Sequence, residues 1–380
     1  MMSDVIGVSE STIRRRLRQY DINLRQHTVV EDEVHDLLVE EITRTKRLLG
    51  PSSIRARLRQ HSIFVTRQRV RQSCTRVDPG GCALRSVEKL NIERRTYKVA
   101  GPNSLWHIDG NHKLIRWGFV IHGCIDGFSR MVTFLSASTD NKSLTVFDKL
   151  IDVTKIYGLP SRIRCDHGVE YVDVCLYMEH IRGPGRGSAI KGKSPHNQRI
   201  ERLLVDIWDN TTSEFYDLFM YMENEDVLDL SNLNHIFALH YVCQPRINAS
   251  LKSFQFQYNN HPLSTEHNKT PSQLFIMGIM ANANGGNTSI QELISNAGEP
   301  SLHPQEVDLE TYGVDYELQD SEDEDDHNDM QANTSFRGHI IHNNDILEQL
   351  KENVNPLENI SCKEYCVELF KKALGFVIDN

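Results

Sequence analysis

Three acidic residues stand where carboxylates could act together. Asp109 closes the apolar run Ser104-Leu-Trp-His-Ile-Asp109-Gly110, and Asp166 closes Ser161-Arg-Ile-Arg-Cys-Asp166. Glu201 lies in the first turn of a helix opened by Ser194-Pro-His-Asn-Gln-Arg-Ile-Glu201-Arg202. Two would sit at strand ends and the third on a helix packed on the same sheet. Carboxylates sharing a small volume repel one another, and hard divalent cations offset that repulsion. Two such ions, roughly 3.5–4 Å apart, clamp the attacking and leaving oxygens of an in-line phosphoryl displacement. The chemistry to expect is phosphodiester cleavage or transfer with two Mg2+ (or Mn2+) ions held by Asp109, Asp166 and Glu201. The nucleophile is a water or a DNA 3′-hydroxyl, and no organic cofactor is needed.

The elements that must position these acids are legible in the apolar periodicity. Residues 119–125 and 131–135 read as two further strands, joined by Asp126-Gly127-Phe-Ser-Arg130 with the turn chemistry of Asp-Gly. Asp126 is therefore read as a hairpin residue rather than a site acid. Residues 143–157 read as a helix with Leu144, Phe147, Leu150 and Ile151 on one face, stopped by Gly158-Leu-Pro160. The helix carrying Glu201 has the apolar stripe Ile200, Leu203, Leu204, Ile207 and Trp208. Glu170 and Asp173, close after Asp166, read as solvated, and His112, His167 and His196 flank the acids. The segment from Arg182 to Lys193 is a Gly-rich flexible loop whose Arg182, Arg186, Lys191 and Lys193 are placed to grip a DNA backbone.

Taken as an ordered set, these motifs resemble the D,D-35-E catalytic core of retroviral-type integrases and related transposases. Asp109, Asp166 and Glu201, with 34 residues between the last two, carry the resemblance. Trp106-His-Ile-Asp109, Asp166-His-Gly168, Tyr258-Asn-Asn-His-Pro262 and Lys269-Thr-Pro-Ser-Gln-Leu274 support it over roughly residues 100–280. It implies an α/β, RNase H-like fold, a five-stranded mixed sheet flanked by helices, with Asp109 bridging both metals, Asp166 holding one and Glu201 the other. It also implies a multimer acting on DNA. Two details depart from the family: the spacing is one residue short, and Gln198-Arg199-Ile200 stands where a glycine is common. The front of the chain looks closer to transposon-encoded or host-genome relatives than to a virus.

Three regions follow: 1–100, 101–285 and 286–380. The net charge of −10 argues against a nucleic-acid binder only until it is placed along the chain. Residues 1–100 hold 20 Lys+Arg and 12 Asp+Glu, a net of +8. Residues 301–330 hold 12 Asp+Glu and no Lys or Arg, centred on Asp320–Asp326, and read as solvated and disordered. The basic front carries two helix-turn-helix-like units. In the first, Ser9 caps a helix with Arg14 and Arg18 on an exposed face. In the second, Ile54 and Leu58 mark one helix and Thr66 caps another bearing Arg67, Arg69 and Arg71. The expected partners are DNA and further copies of the chain. The tail, 286–380, reads as acidic and partly disordered, with short helices near 345–353 and 363–374.

The eight cysteines form no Cys-x-x-Cys pair and read as reduced thiols. His27, His35, Cys74 and Cys82 fit a zinc site poorly. No apolar window is long enough to span a membrane. The expected location is nuclear in a eukaryote and otherwise intracellular. The function expected first is DNA integration by polynucleotidyl transfer. The alternative is a host-adapted DNA-binding protein derived from such an enzyme and no longer catalytic.

Overall fold

The computed structural model describes residues 8–20, 28–45, 49–82, 99–192, 197–282, 344–359 and 363–379. At the front lie α1 (Glu10–Gln19), α2 (Asp32–Thr45), α3 (Pro51–Gln60) and α4 (Arg67–Val77). The expected caps form: Ser9 Oγ accepts from the Thr12 amide at 3.3 Å and Thr66 Oγ1 from the Arg69 amide at 3.2 Å. The helix-turn-helix pattern pairs α3 with α4, and α2 joins them as a third helix. These three helices close one apolar cluster: Val39 from α2, Ile54 and Leu58 from α3, and Val70 and Cys74 from α4. Asp36 ties α2 to α4 by accepting two bonds from Arg76, each at 2.7 Å. His35 is fully buried with Nδ1 2.6 Å from Ser73 Oγ, engaged in packing rather than in a zinc site. His27 lies outside the described residues.

The central unit is a five-stranded sheet in the order β3-β2-β1-β4-β5. Its strands are β1 (Trp106–Asn111), β2 (Val120–Asp126), β3 (Val132–Ser138), β4 (Ile163–Cys165) and β5 (Ala189–Lys191). β1, β2 and β3 are antiparallel neighbours, while β4 pairs parallel with both β1 and β5. Parallel neighbours need crossovers, and two helices supply them: α5 (Ser143–Tyr157) and α6 (Val172–Arg182). β5 lies inside the segment expected to be wholly a loop. Gly183, Gly185 and Gly187, at φ of +94°, +72° and +68°, turn the chain into it.

Each sheet face buries a different helix layer. Trp106, Ile108 and Phe134 pack with Val146, Leu150 and Val153 of α5 and Val174 and Met178 of α6. On the other face Ile121, Leu135 and Ala137 meet α7 (Gln198–Ile207) and the long α9 (Leu233–Asn259), with α8 (Ser213–Asn224) between them. α10 (Pro271–Ala281) follows, opened by a capping box of Thr270 and Gln273. Two more helices, α11 (Asn344–Asn353) and α12 (Lys363–Asp379), add Leu350, Leu369, Phe370 and Ala373 to the same core. The region expected as a tail thus contributes part of the main core, because the apolar stripe of α12 needs cover. Among the described residues no helix is long and apolar enough to cross a membrane.

Candidate active site

The alternation of β1 aims its side chains. Trp106 and Ile108 enter the layer under α5 and α6, so His107 and Asp109 face α7. Asp109 lies inside β1, not at its end, since the strand runs on to Asn111. Directly opposite Asp109 on β2 is Gly123. A Cβ there would stand in ordinary contact, 3.4 Å from Ile200 Cδ1 and Leu135 Cδ1, so α7 lies close to the sheet beside Asp109 and leaves space for little more than a small residue.

Asp166 follows β4 immediately. Trp106 pairs with Ile163 and His107 with Arg164; carried two residues further, that register sets Asp166 level with Asp109. Its Oδ1 accepts from the Gly168 amide at 2.9 Å. Glu201 is brought to the same face by α7, one turn into the helix, its amide donating to the Asn197 carbonyl at 3.2 Å.

Asn197 itself fixes where that helix starts. Its Nδ2 donates to the Ile108 carbonyl at 3.0 Å, and its Oδ1 lies 2.7 Å from His107 Nδ1. Because this oxygen accepts, the imidazole carries its proton on Nδ1. Burial pushes the imidazole down to about 3, with the positive charges of Arg164 and Arg199 adding to the effect. A neutral, fully buried histidine is thus held by the residue four before Glu201. Sequence reasoning missed this pair; the signal was the Asn in Ser194-Pro-His-Asn197, at the position where a helix would be capped.

Burial pushes the Asp109 carboxyl up to about 7, and the negative charges of Asp166, Glu201 and Glu170 add to the rise. Glu170 corrects an expectation. It is buried at 7% exposure, not solvated, and folds back over Gly168 on the single turn Val169–Tyr171. Tyr171 is fully buried beside it, its hydroxyl 3.3 Å from where a Gly110 Cβ would stand. Burial pushes this phenol up, as do the charges of Asp109, Glu170 and Asp166. The acids therefore feel one another, although among the described residues no three His, Cys, Asp or Glu side chains close on one point as a chelating set. Their donors are hard carboxylate oxygens, the chemistry that suits Mg2+ or Mn2+.

The cations divide. Arg182 is a correction: it is buried, donating from Nε to the Pro160 carbonyl at 3.1 Å and from Nη2 to the Leu159 carbonyl at 2.6 Å, so it braces the loop after α5 instead of facing outward. Arg186 reaches Ser161 Oγ at 2.7 Å. Lys191 is exposed on β5 beside Cys165, next to Asp166. Lys193 and His196 lie outside the described residues. On the front, Arg14, Arg18, Arg67 and Arg71 are exposed. Arg69 is turned inward, bonded to the Val30 carbonyl and, at 2.8 Å, to Asp32, because α2 places an acid within its reach.

A mixed five-stranded sheet with one acid on its central strand, a second just past the adjacent strand, and a third on a helix packed on the same sheet, has the form of an RNase H-like fold. Residues 96–289 match the family model described as integrase core domain, and the chain belongs to that family. Among solved structures it is similar to the HTLV-2 integrase catalytic core domain in complex with magnesium, at 15% identity over 47% of this chain and 99% of that one, with a TM-score of 0.31. It is also similar to a chain of the simian T-cell lymphotropic virus intasome in complex with PP2A regulatory subunit B56 gamma, at 16% identity, 60% and 74% coverage and a TM-score of 0.33. The BIV integrase catalytic core domain matches at 15% identity, 46% and 94% coverage and a TM-score of 0.31. No curated protein matches the chain.

Proposed function

We propose that this chain cleaves and joins DNA strands by polynucleotidyl transfer at Asp109, Asp166 and Glu201. The observation that carries the reading is the placement of Asp109 on β1, Asp166 just past the neighbouring β4 and level with it, and Glu201 on the helix that Asn197 ties to β1. Membership of the integrase core domain family supports it. Asp109, Asp166 and Glu201 would hold two Mg2+ (or Mn2+) ions. Bound there, such ions would activate a water or a DNA 3′-hydroxyl and stabilise the leaving 3′-oxygen.

The protein's own side chains orient the reaction. The Asn197–His107 pair sets the position of Glu201, and α7 lies close to the sheet at Gly123, beside Asp109. Lys191 beside Asp166, with Arg186, Lys193 and the exposed Arg67, Arg71, Arg14 and Arg18 of the front, would meet DNA phosphates. In this reading α3 and α4 act as a helix-turn-helix, the working form is a homo-oligomer, and in a eukaryote it acts in the nucleus.

The test is a labelled DNA end incubated with the full chain and Mg2+ or Mn2+. Cleavage or strand transfer is expected. DNA binding without either would favour a non-catalytic DNA-binding descendant of an integrase.

A further inference from the structure

α3 turns its arginines two ways. Arg57 points into the junction with the core, its Nε donating to Gln257 Oε1 at 2.8 Å, with Glu214 nearby as a negative charge. One turn on, Gln60 Oε1 accepts from Ser253 Oγ at 3.0 Å. These bonds fix α3 against α9. Arg55 and Arg59, four residues apart, share the other helix face.

That face meets Arg67 and His261. Arg67 opens α4, and His261 follows α9 from the Tyr258-Asn-Asn-His-Pro262 motif. Burial and the charges of Arg59 and Arg67 lower Arg55, while burial and the charges of Arg67 and Arg55 lower His261. Among the described residues, the charges acting on these two groups are all positive. The Arg59 Nε is enclosed without a hydrogen-bond partner among the described residues. Half-buried guanidinium groups crowded together, one with a donor left without a partner, are costly unless an anion joins them. Guanidinium forks match phosphate oxygens in geometry as well as charge.

We propose that Arg55, Arg59, Arg67 and His261 form a binding site for the phosphodiester backbone of duplex DNA, gripped at once by the front helices and the core. DNA is favoured because Arg71, exposed on the same α4, continues the basic surface outward. The site rests on the DNA-binding part of the proposed function and does not depend on catalysis.

The experiment is a salt titration of full-chain binding to a labelled random-sequence DNA duplex. The slope of log affinity against log salt should shrink by about 0.9 for each phosphate that is no longer neutralised. Arg55→Ala/Arg59→Ala should therefore flatten it by nearly two units and weaken binding at least several-fold, while Arg55→Lys/Arg59→Lys should keep most of the slope. Hydrogen exchange in the unaltered chain gives a readout that does not depend on how a variant folds: added DNA should protect both 51–67 and 259–262. If the double alanine variant binds as the parent does while Arg71→Ala weakens binding, the junction site is overturned and the DNA reading stands. Protection confined to 67–77 overturns the junction site as well. Tighter binding to an RNA duplex of equal length overturns the choice of DNA. A parent chain that binds no DNA overturns both readings.

Discussion

Asn197 and His107 hold each other across the gap between α7 and β1, with Asn197 Oδ1 2.7 Å from His107 Nδ1 and both side chains buried. One strand position beyond His107 is Ile108, whose carbonyl takes the other half of the amide, and one beyond that is Asp109. Four residues beyond Asn197 is Glu201. A single side-chain amide thus sets the distance between two of the proposed catalytic acids.

Asn197→Ala should remove the buried bonds that Asn197 makes to His107 Nδ1 and to the Ile108 carbonyl. Losing each such bond costs about 1–3 kcal/mol. Urea unfolding should show a drop of about 2 kcal/mol or more, and strand cleavage should fall further than that drop explains. Unchanged stability would mean that the pair does not tie helix to strand.

Gly123→Val puts methyl groups where Ile200 Cδ1 and Leu135 Cδ1 stand 3.4 Å from the Cβ position. Overpacking of this kind costs about 1–3 kcal/mol. It should also lift α7 from the sheet and separate Glu201 from Asp109. Strand transfer should fall at least tenfold with DNA affinity kept; a variant with parental activity would remove the close approach from the account.

Arg182→Ala should act on stability and not on DNA affinity, because its guanidinium serves the Leu159 and Pro160 carbonyls. A lower melting temperature with an unchanged salt slope is the expected pair of results. A flatter slope in a fully stable variant would restore Arg182 to the DNA surface.

The Arg76 guanidinium, bonded to Asp36, lowers that carboxyl to about 2. A carboxyl lowered in the folded state contributes stability that is present above its unfolded value and lost as pH falls through the folded one. The α2–α4 unit should therefore weaken as pH drops from about 4 toward 2. Asp36→Asn should be less stable at neutral pH and should flatten this dependence when melting is followed by circular dichroism.

Much of this arrangement was legible because two periodicities dominate it. β1 to β4 and α5 stand near the apolar runs that announce them, and the caps at Ser9 and Thr66 fall on the residues chosen for their oxygens. β5 was hidden by its length of three residues and its glycine-rich approach. α2 was obscured by the acids between Asp32 and Glu41, whose charge masks the stripe of Leu38, Val39 and Ile42. Glu170, Arg69 and Arg182 are a harder class. Residue type alone does not say whether a charged side chain meets water or the interior; for Arg69 the answer lay 37 residues away, in Asp32.

The most direct test of the central claim is cleavage of a labelled DNA end in Mn2+ by the parent chain, Asp166→Asn and Glu201→Gln, with binding measured in the same samples. The parent is expected to cleave, and both variants to lose nearly all cleavage, more than a hundredfold, while DNA binding persists. Equal cleavage by Asp166→Asn, or none by a parent chain that binds DNA well, would contradict the claim.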